Sequence, residues 1–145
     1  MTNEPLETWQ YEVEYVHPLR TRNVHVASGQ TILSDAPVDN HGLGEAFSPT
    51  DLLSTSLAAC VMTIMGIHAQ ERTYVIERLT AKVQKTMAAN PRRVAAIRVH
   101  FVCDLSGSCT ERDLELLERV ARACPVAKSL HPDLAQELSF QFTCA

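Results

Sequence analysis

Two cysteines of this chain stand in settings that differ in kind. Cys60 lies midway along a stretch from Leu52 to Gln70 that carries no formal charge, and Cys124 lies directly before Pro125. A thiol on a central helix and another in front of a proline-started helix suggest a two-cysteine redox site, since folding can join residues far apart in sequence. The free N–H groups at the start of the Pro125 helix can stabilise a thiolate at Cys124. Mid-helix amides are already bonded, so Cys60 needs a cation to become reactive. On composition alone it reads equally as a packed apolar residue. The cations on offer are Arg20 and Arg22 in His17-Pro18-Leu19-Arg20-Thr21-Arg22, although arginines in a turn are commonly just solvated.

Other constellations carry less. Cys103 and Cys144 share the inward faces of strands and read as packing or edge residues. His100 and Cys103 point to opposite faces of one strand, so with Cys109 they make no zinc pattern, and no metal is expected. Ser54 and Ser56 lie on the helix without a base and acid to activate them, which argues against a serine hydrolase. Gly42-Leu43-Gly44 lacks the third glycine and the leading strand of a dinucleotide fingerprint.

The elements that must position the cysteines follow from periodicity. Trp9, Tyr11, Val13 and Tyr15 alternate with polar residues and predict a half-buried strand, followed by strands near Asn23–Ala27 and Thr31–Ser34 in an antiparallel meander. Asp35 to Ser48 reads as a long loop, of the kind that tends to be functional or mobile. Ser48 and Pro49 then form an N-cap and first-turn pair. The helix that follows is apolar on every side: Leu53, Leu57, Cys60, Ile64 and Ile67 on one, Ala58, Met62 and Met65 on the other. Such a helix is expected to be buried all round. A chain this size can hardly wrap it alone, so a second subunit is expected to supply a wall.

Leu79–Gln84 and Ile97–Cys103 alternate as two more strands. Thr110 to Asp113 resembles a capping box for a helix that buries Leu114, Leu117, Val120, Ala121 and Cys124. A short helix from Pro125 and a strand carrying Leu138, Phe140, Phe142 and Cys144 complete an α+β pattern. There is no repeat, linker or low-complexity tract, so residues 1–145 read as a single domain.

Bulk properties exclude several classes. The formal charge of −4 and the lack of a Lys/Arg run argue against nucleic-acid binding. The nineteen uncharged residues between Asp51 and Glu71 approach membrane-spanning length, but polar residues interrupt them and no basic cluster flanks them, so no membrane helix is expected. Met1 to Pro5 has neither the basic nor the apolar part of a signal peptide. Five cysteines, odd in number and irregularly spaced, then read as thiols of a reducing cytoplasm.

Ser48-Pro49-Thr50-Asp51-Leu52-Leu53 leading to Ala58-Ala59-Cys60, followed by Cys124-Pro125-Val126-Ala127, resembles the OsmC/Ohr family of thiol peroxidases. Arg20, the Gly42–Ser48 approach and the order of elements extend the resemblance over nearly the whole chain. It implies an OsmC-like fold in which antiparallel sheets wrap a long central helix within an intertwined homodimer. It also implies a cysteine-based peroxide reductase working without a cofactor. Cys60 would attack an organic hydroperoxide, Cys124 would close a disulfide, and a small thiol or dihydrolipoyl protein would reduce it. Arg20 matches the family's arginine, with Arg22 as the fallback, and Phe47, Leu53 and Leu57 would form an apolar substrate pocket. The organic-hydroperoxide branch carries a glutamate after the proline, where this chain has Thr50. Asp51 and Glu45 are the candidates to replace it, and the chain looks closer to the OsmC-like branch. The alternative is a non-catalytic domain of the same fold that binds an apolar ligand or senses oxidants through one thiol.

Overall fold

A computed structural model describes residues 9–145. These residues group into two compact units, one up to Leu52 and one from Leu53 onward.

The first unit is the expected meander. Strands β1 (Tyr11–Val16), β2 (Arg20–His25) and β3 (Thr31–Asp35) form an antiparallel sheet in the order β1-β2-β3. Tyr11 pairs with His25, Val24 with Thr31, and Arg20 with Asp35. The alternation of β1 is real, but its expected half-burial is not found: Trp9 is 71%, Tyr11 63%, Val13 65% and Tyr15 61% exposed. Alternation reports that a face is apolar, not that the same chain covers it.

After β3 the chain is tightly built rather than slack. A single 3-10 turn spans Val38–Asn40, and the N–H of Gly44 donates to the Ala36 carbonyl at 3.2 Å. Gly42 passes so close to Ala36 that a Cβ would meet its carbonyl oxygen at 1.7 Å, so no larger residue fits there. Helix α1 (Pro49–Ala69) opens on a reciprocal pair of bonds. The Asp51 N–H donates to Ser48 Oγ at 3.1 Å, and the Ser48 N–H donates to the Asp51 carboxylate at 2.9 Å. This is the capping-box arrangement with aspartate in place of glutamate.

The second unit holds strands β4 (Tyr74–Ala88), β5 (Arg93–Gly107) and β6 (Ala135–Cys144), with helices α2 (Glu111–Ala121) and α3 (Pro125–Ser129) between β5 and β6. The expectation of purely antiparallel sheets is corrected here. β4 and β5 form a long antiparallel hairpin, but β6 runs parallel to β5. The reason is the crossover: two helices separate β5 from β6, which is long enough to return the chain to the starting end of β5. Ile97, Val99, Phe101 and Cys103 all face inward, without exposed surface, as their alternation predicts. Phe101 stacks on Phe140 at 4.8 Å between ring centroids, and the Arg122 guanidinium lies 5.2 Å from the Phe140 ring. The predicted Thr110–Asp113 capping box is present at the start of α2.

The central helix is not buried all round in the single chain. Leu57, Ala58, Val61 and Met65 form one buried stripe that joins the core with Ile97, Val99 and Phe101. Leu53 and Ile67 remain 39% and 57% exposed. By length and composition α1 could also cross a membrane, but its buried stripe packs in a protein core.

Candidate functional site

The thiol pair belongs to the second unit. Cys60 lies on α1, one residue before the buried Val61, and is half-buried. Cys124 caps α3: its sulfur accepts from the Ala127 N–H at 3.4 Å, and Pro125 fills the first helical position. The Gln136 side chain donates to the Ala127 carbonyl at 2.9 Å and ties α3 to β6. Cys124 has no exposed surface. Its thiol has that of Cys60 as a close neighbour, and both are free thiols. The structure thus brings together two cysteines that the sequence separates widely. Burial pushes the Cys124 thiol above its ordinary range. The amides of Ala127 and Val126 pull the other way but do not outweigh burial and the Cys60 contact. The helix start is where the sequence places it, and desolvation is the larger effect.

The cation lies in the first unit within a cluster of its own. Arg20 donates to both carboxylate oxygens of Asp35, at 3.0 and 3.5 Å, and to Glu45 at 2.8 Å. Asp35 also accepts from the Glu45 N–H at 2.9 Å, while its own N–H donates to the Phe47 carbonyl at 3.0 Å. The folded-back loop after β3 therefore delivers Glu45 to the arginine. Asp35 has no exposed surface, and its burial opposes ionisation without outweighing its bonds. The Arg20 bonds, then the Glu45 amide, hold its carboxyl below the usual carboxylate range. The same two carboxylates, Asp35 first, raise the Arg20 guanidinium further.

Asp35 was not among the residues the sequence singled out. Its signal was available: counting outward from the His25–Gln30 turn along both strands sets Arg20 opposite Asp35. The other candidates fall in varied places. The Asp51 carboxylate is bonded at the start of α1, and Arg22 is exposed on β2. Leu57 is wholly buried in the core, whereas Phe47 and Leu53 are 54% and 39% exposed. Among the described residues no group of three or more His, Cys, Asp or Glu side chains could hold a metal ion.

The OsmC-like protein family model matches residues 42–139. Among curated proteins none matches. A crystal structure from Psychrobacter arcticus 273-4, provisionally described as an osmotic stress induced and detoxification response protein, is 43% identical. The alignment covers 94% of this chain and 98% of that one, with a TM-score of 0.84. An OsmC-like protein from Mycoplasma pneumoniae is 17% identical over 94% of this chain and 98% of its own, with a TM-score of 0.75. An organic hydroperoxide resistance protein from Legionella pneumophila is 16% identical over 95% and 99%, with a TM-score of 0.65. The last two share the fold. The family match and the 43% identical relative carry more: the chain belongs to the OsmC-like protein family.

Proposed function

We propose that the chain is a thiol-dependent peroxidase that reduces organic hydroperoxides in the cytoplasm as a homodimer, residues 1–145 acting as one domain. The observation that carries this reading is the contact between the Cys60 and Cys124 thiols. A domain that only binds an apolar ligand, or senses oxidants through a single thiol, has no use for a second sulfur in contact with the first.

In this reading the Cys60 thiolate attacks one peroxide oxygen, the O–O bond breaks, and the alkoxide leaves as alcohol after taking a proton. Cys60 becomes a sulfenic acid. The Cys124 sulfur then attacks the Cys60 sulfur, the hydroxyl leaves as water, and a disulfide forms. A small thiol or dihydrolipoyl group supplies two electrons to restore both thiols. The raised Cys124 thiol is protonated at neutral pH, so it does not compete with Cys60 for the first oxidation. Arg20 is assigned the stabilisation of thiolate and departing oxygen. Asp35 and Glu45, which hold its guanidinium, take the positioning role that the family's organic-hydroperoxide branch gives to a glutamate at the position of Thr50.

The homodimer proposal draws on the exposed apolar residues of β1 and α1. An obligate interface of this kind exceeds about 2,000 Å². The deciding experiment follows peroxide consumption with dihydrolipoamide as reductant, comparing cumene hydroperoxide with hydrogen peroxide. Turnover with preference for the organic substrate is expected. Absence of turnover with either one overturns the enzyme reading.

A further inference from the structure

Three cysteines lie outside the proposed site, and the fold gathers them at one end of the second sheet. The register of β5 and β6 sets Cys103 against Phe142 and Leu105 against Cys144, and the Ala145 N–H donates to the Leu105 carbonyl at 2.9 Å. Beyond Leu105 the chain turns at Gly107, whose φ of +92° suits glycine. A Cβ there would meet the Thr73 carbonyl oxygen at 2.7 Å. Two bonds then fix the turn: the Ser108 N–H donates to Thr73 O at 3.1 Å, and Thr73 Oγ1 donates to Ser108 O at 3.0 Å. This returns Cys109 against the core, half-buried, with its thiol a close neighbour of that of Cys144. Cys103 is buried beside them and Cys144 is exposed. The Tyr74 hydroxyl, buried and without a hydrogen-bond partner, lies within electrostatic reach of Cys103 and Cys109. No metal-binding set is present among the described residues, so thiol chemistry is what this cluster can offer.

We propose that Cys109 and Cys144 form a second redox-active dithiol, oxidised to a disulfide by hydroperoxide independently of Cys60 and Cys124. Exposure decides the order of events. Cys144 meets the oxidant first: its sulfur attacks the peroxide, the O–O bond breaks, and the alcohol leaves with a proton, giving a sulfenic acid. Burial, and then the neighbouring Cys144 thiol, push the Cys109 thiol up to about 11, so it remains protonated at neutral pH and reacts second. Its sulfur attacks the Cys144 sulfur, and its proton leaves with the hydroxyl as water. Two thiols and one hydroperoxide thus become a disulfide, an alcohol and water. The product staples the end of β6 to the turn that leads into α2. Closing the chain between positions 109 and 144 restricts the unfolded state.

The experiment uses the full chain carrying Cys60→Ser and Cys124→Ser, treated with one equivalent of cumene hydroperoxide and digested without reduction. A peptide pair linked through Cys109 and Cys144 is expected, together with a rise of several degrees in Tm that dithiothreitol reverses. Adding Cys109→Ser should leave a sulfenic acid at Cys144 that dimedone traps. The wild-type chain, oxidised with two equivalents so that one remains after the Cys60–Cys124 pair has reacted, yields the same linked peptides if the double variant folds poorly. Recovery of Cys109 and Cys144 as free thiols, or of Cys144 only in disulfides between chains, overturns the proposal. Neither result depends on whether Cys60 turns over peroxide.

Discussion

The two units of this chain are built inside out with respect to each other. In the second, the buried residues other than Ser54 are apolar, from Leu57 on α1 to Phe101 on β5 and Leu117 on α2. In the first, the buried residues among those described are Ser34, Asp35 and Ser48, while Trp9, Tyr11, Val13 and Tyr15 stand exposed. Burial of apolar surface is the main favourable contribution to folding. A sheet that buries Ser34 and Asp35 while exposing Tyr11 and Tyr15 draws little from that source. Its own stability draws on the sheet ladder and the Arg20–Asp35–Glu45 bonds. The contrast is also chemical. The second unit holds thiols in a low-dielectric core, and the first holds charge.

The largest expected effect falls on the thiol unit. Cys60→Ser should reduce peroxide turnover to the level of buffer with the fold intact, since serine is close in size. Cys124→Ser should permit one oxidation per chain and leave a sulfenic acid at Cys60 that dimedone traps. Mass spectrometry of both variants checks this, and a wild-type chain that forms no Cys60–Cys124 disulfide with peroxide breaks the assignment. Because the Cys124 thiol is raised by burial, disulfide closure should accelerate as pH rises above neutrality and more of it ionises.

The charge unit comes next. Removing one group that stabilises a developing anion commonly costs about 100-fold or more in rate, and Arg20→Met should slow peroxide attack by that order. Arg20→Lys should rescue only part, because lysine lacks the planar fork that can bridge a sulfur and an oxygen. Glu45 is 65% exposed at its side chain, so Glu45→Gln should cost less than about tenfold. Asp35→Asn should cost more than Glu45→Gln, since Asp35 holds two guanidinium nitrogens and the Glu45 amide as well. Single-turnover rates with cumene hydroperoxide order the four variants. Equal rates for Arg20→Met and wild type would turn attention to Arg22.

How much of this was legible beforehand divides along the same line. The inward face of β5 was, because strict alternation through Ile97, Val99, Phe101 and Cys103 has one structural solution. So were both helix starts, at Ser48–Pro49 and Thr110–Asp113, because capping is local chemistry. The parallel pairing of β6 was not: its alternation is the same for either direction, and only the crossover geometry decides. Asp35 was missed because its meaning lies in a cross-strand register fixed by a turn six residues long. The Cys109–Cys144 contact was missed for a similar reason. Cys109 lies past the end of its strand, where periodicity says nothing and a glycine turn says everything.

Stability measurements sharpen the contrast further. Phe101→Ala removes a stacked ring from the core and should cost about 3–5 kcal/mol. Val13→Ala on an uncovered face should cost no more than about 0.5 kcal/mol. If a second copy covers that face, as proposed, the cost should exceed about 1 kcal/mol and the Tm should rise with protein concentration. Sedimentation at micromolar concentration should show a dimer. A monodisperse monomer breaks both the dimer proposal and the explanation of the exposed face.

The smallest effect expected is in acid, where each unit carries a carboxylate held below its ordinary range. Asp35 is lowered by Arg20 first and the Glu45 amide second; Asp113 is lowered by the Thr110 side chain first and then the Thr110 amide. A carboxylate whose folded value lies below its unfolded value of about 3.9 binds protons more weakly in the folded state. Its contribution is therefore fully present above the unfolded value and lost as pH falls through the folded one. Both should weaken the protein as pH falls below about 4, and not at neutrality. They differ in what protonation releases. At Asp113 it frays one helix start, as Thr110→Ala would. At Asp35 it frees the arginine and the loop that carries Glu45. Urea titrations of wild type, Asp35→Asn and Asp113→Asn at several pH values separate them. Asp35→Asn should flatten the acid limb more than Asp113→Asn, and the opposite order would mean that the buried charge pair does not hold the first unit together.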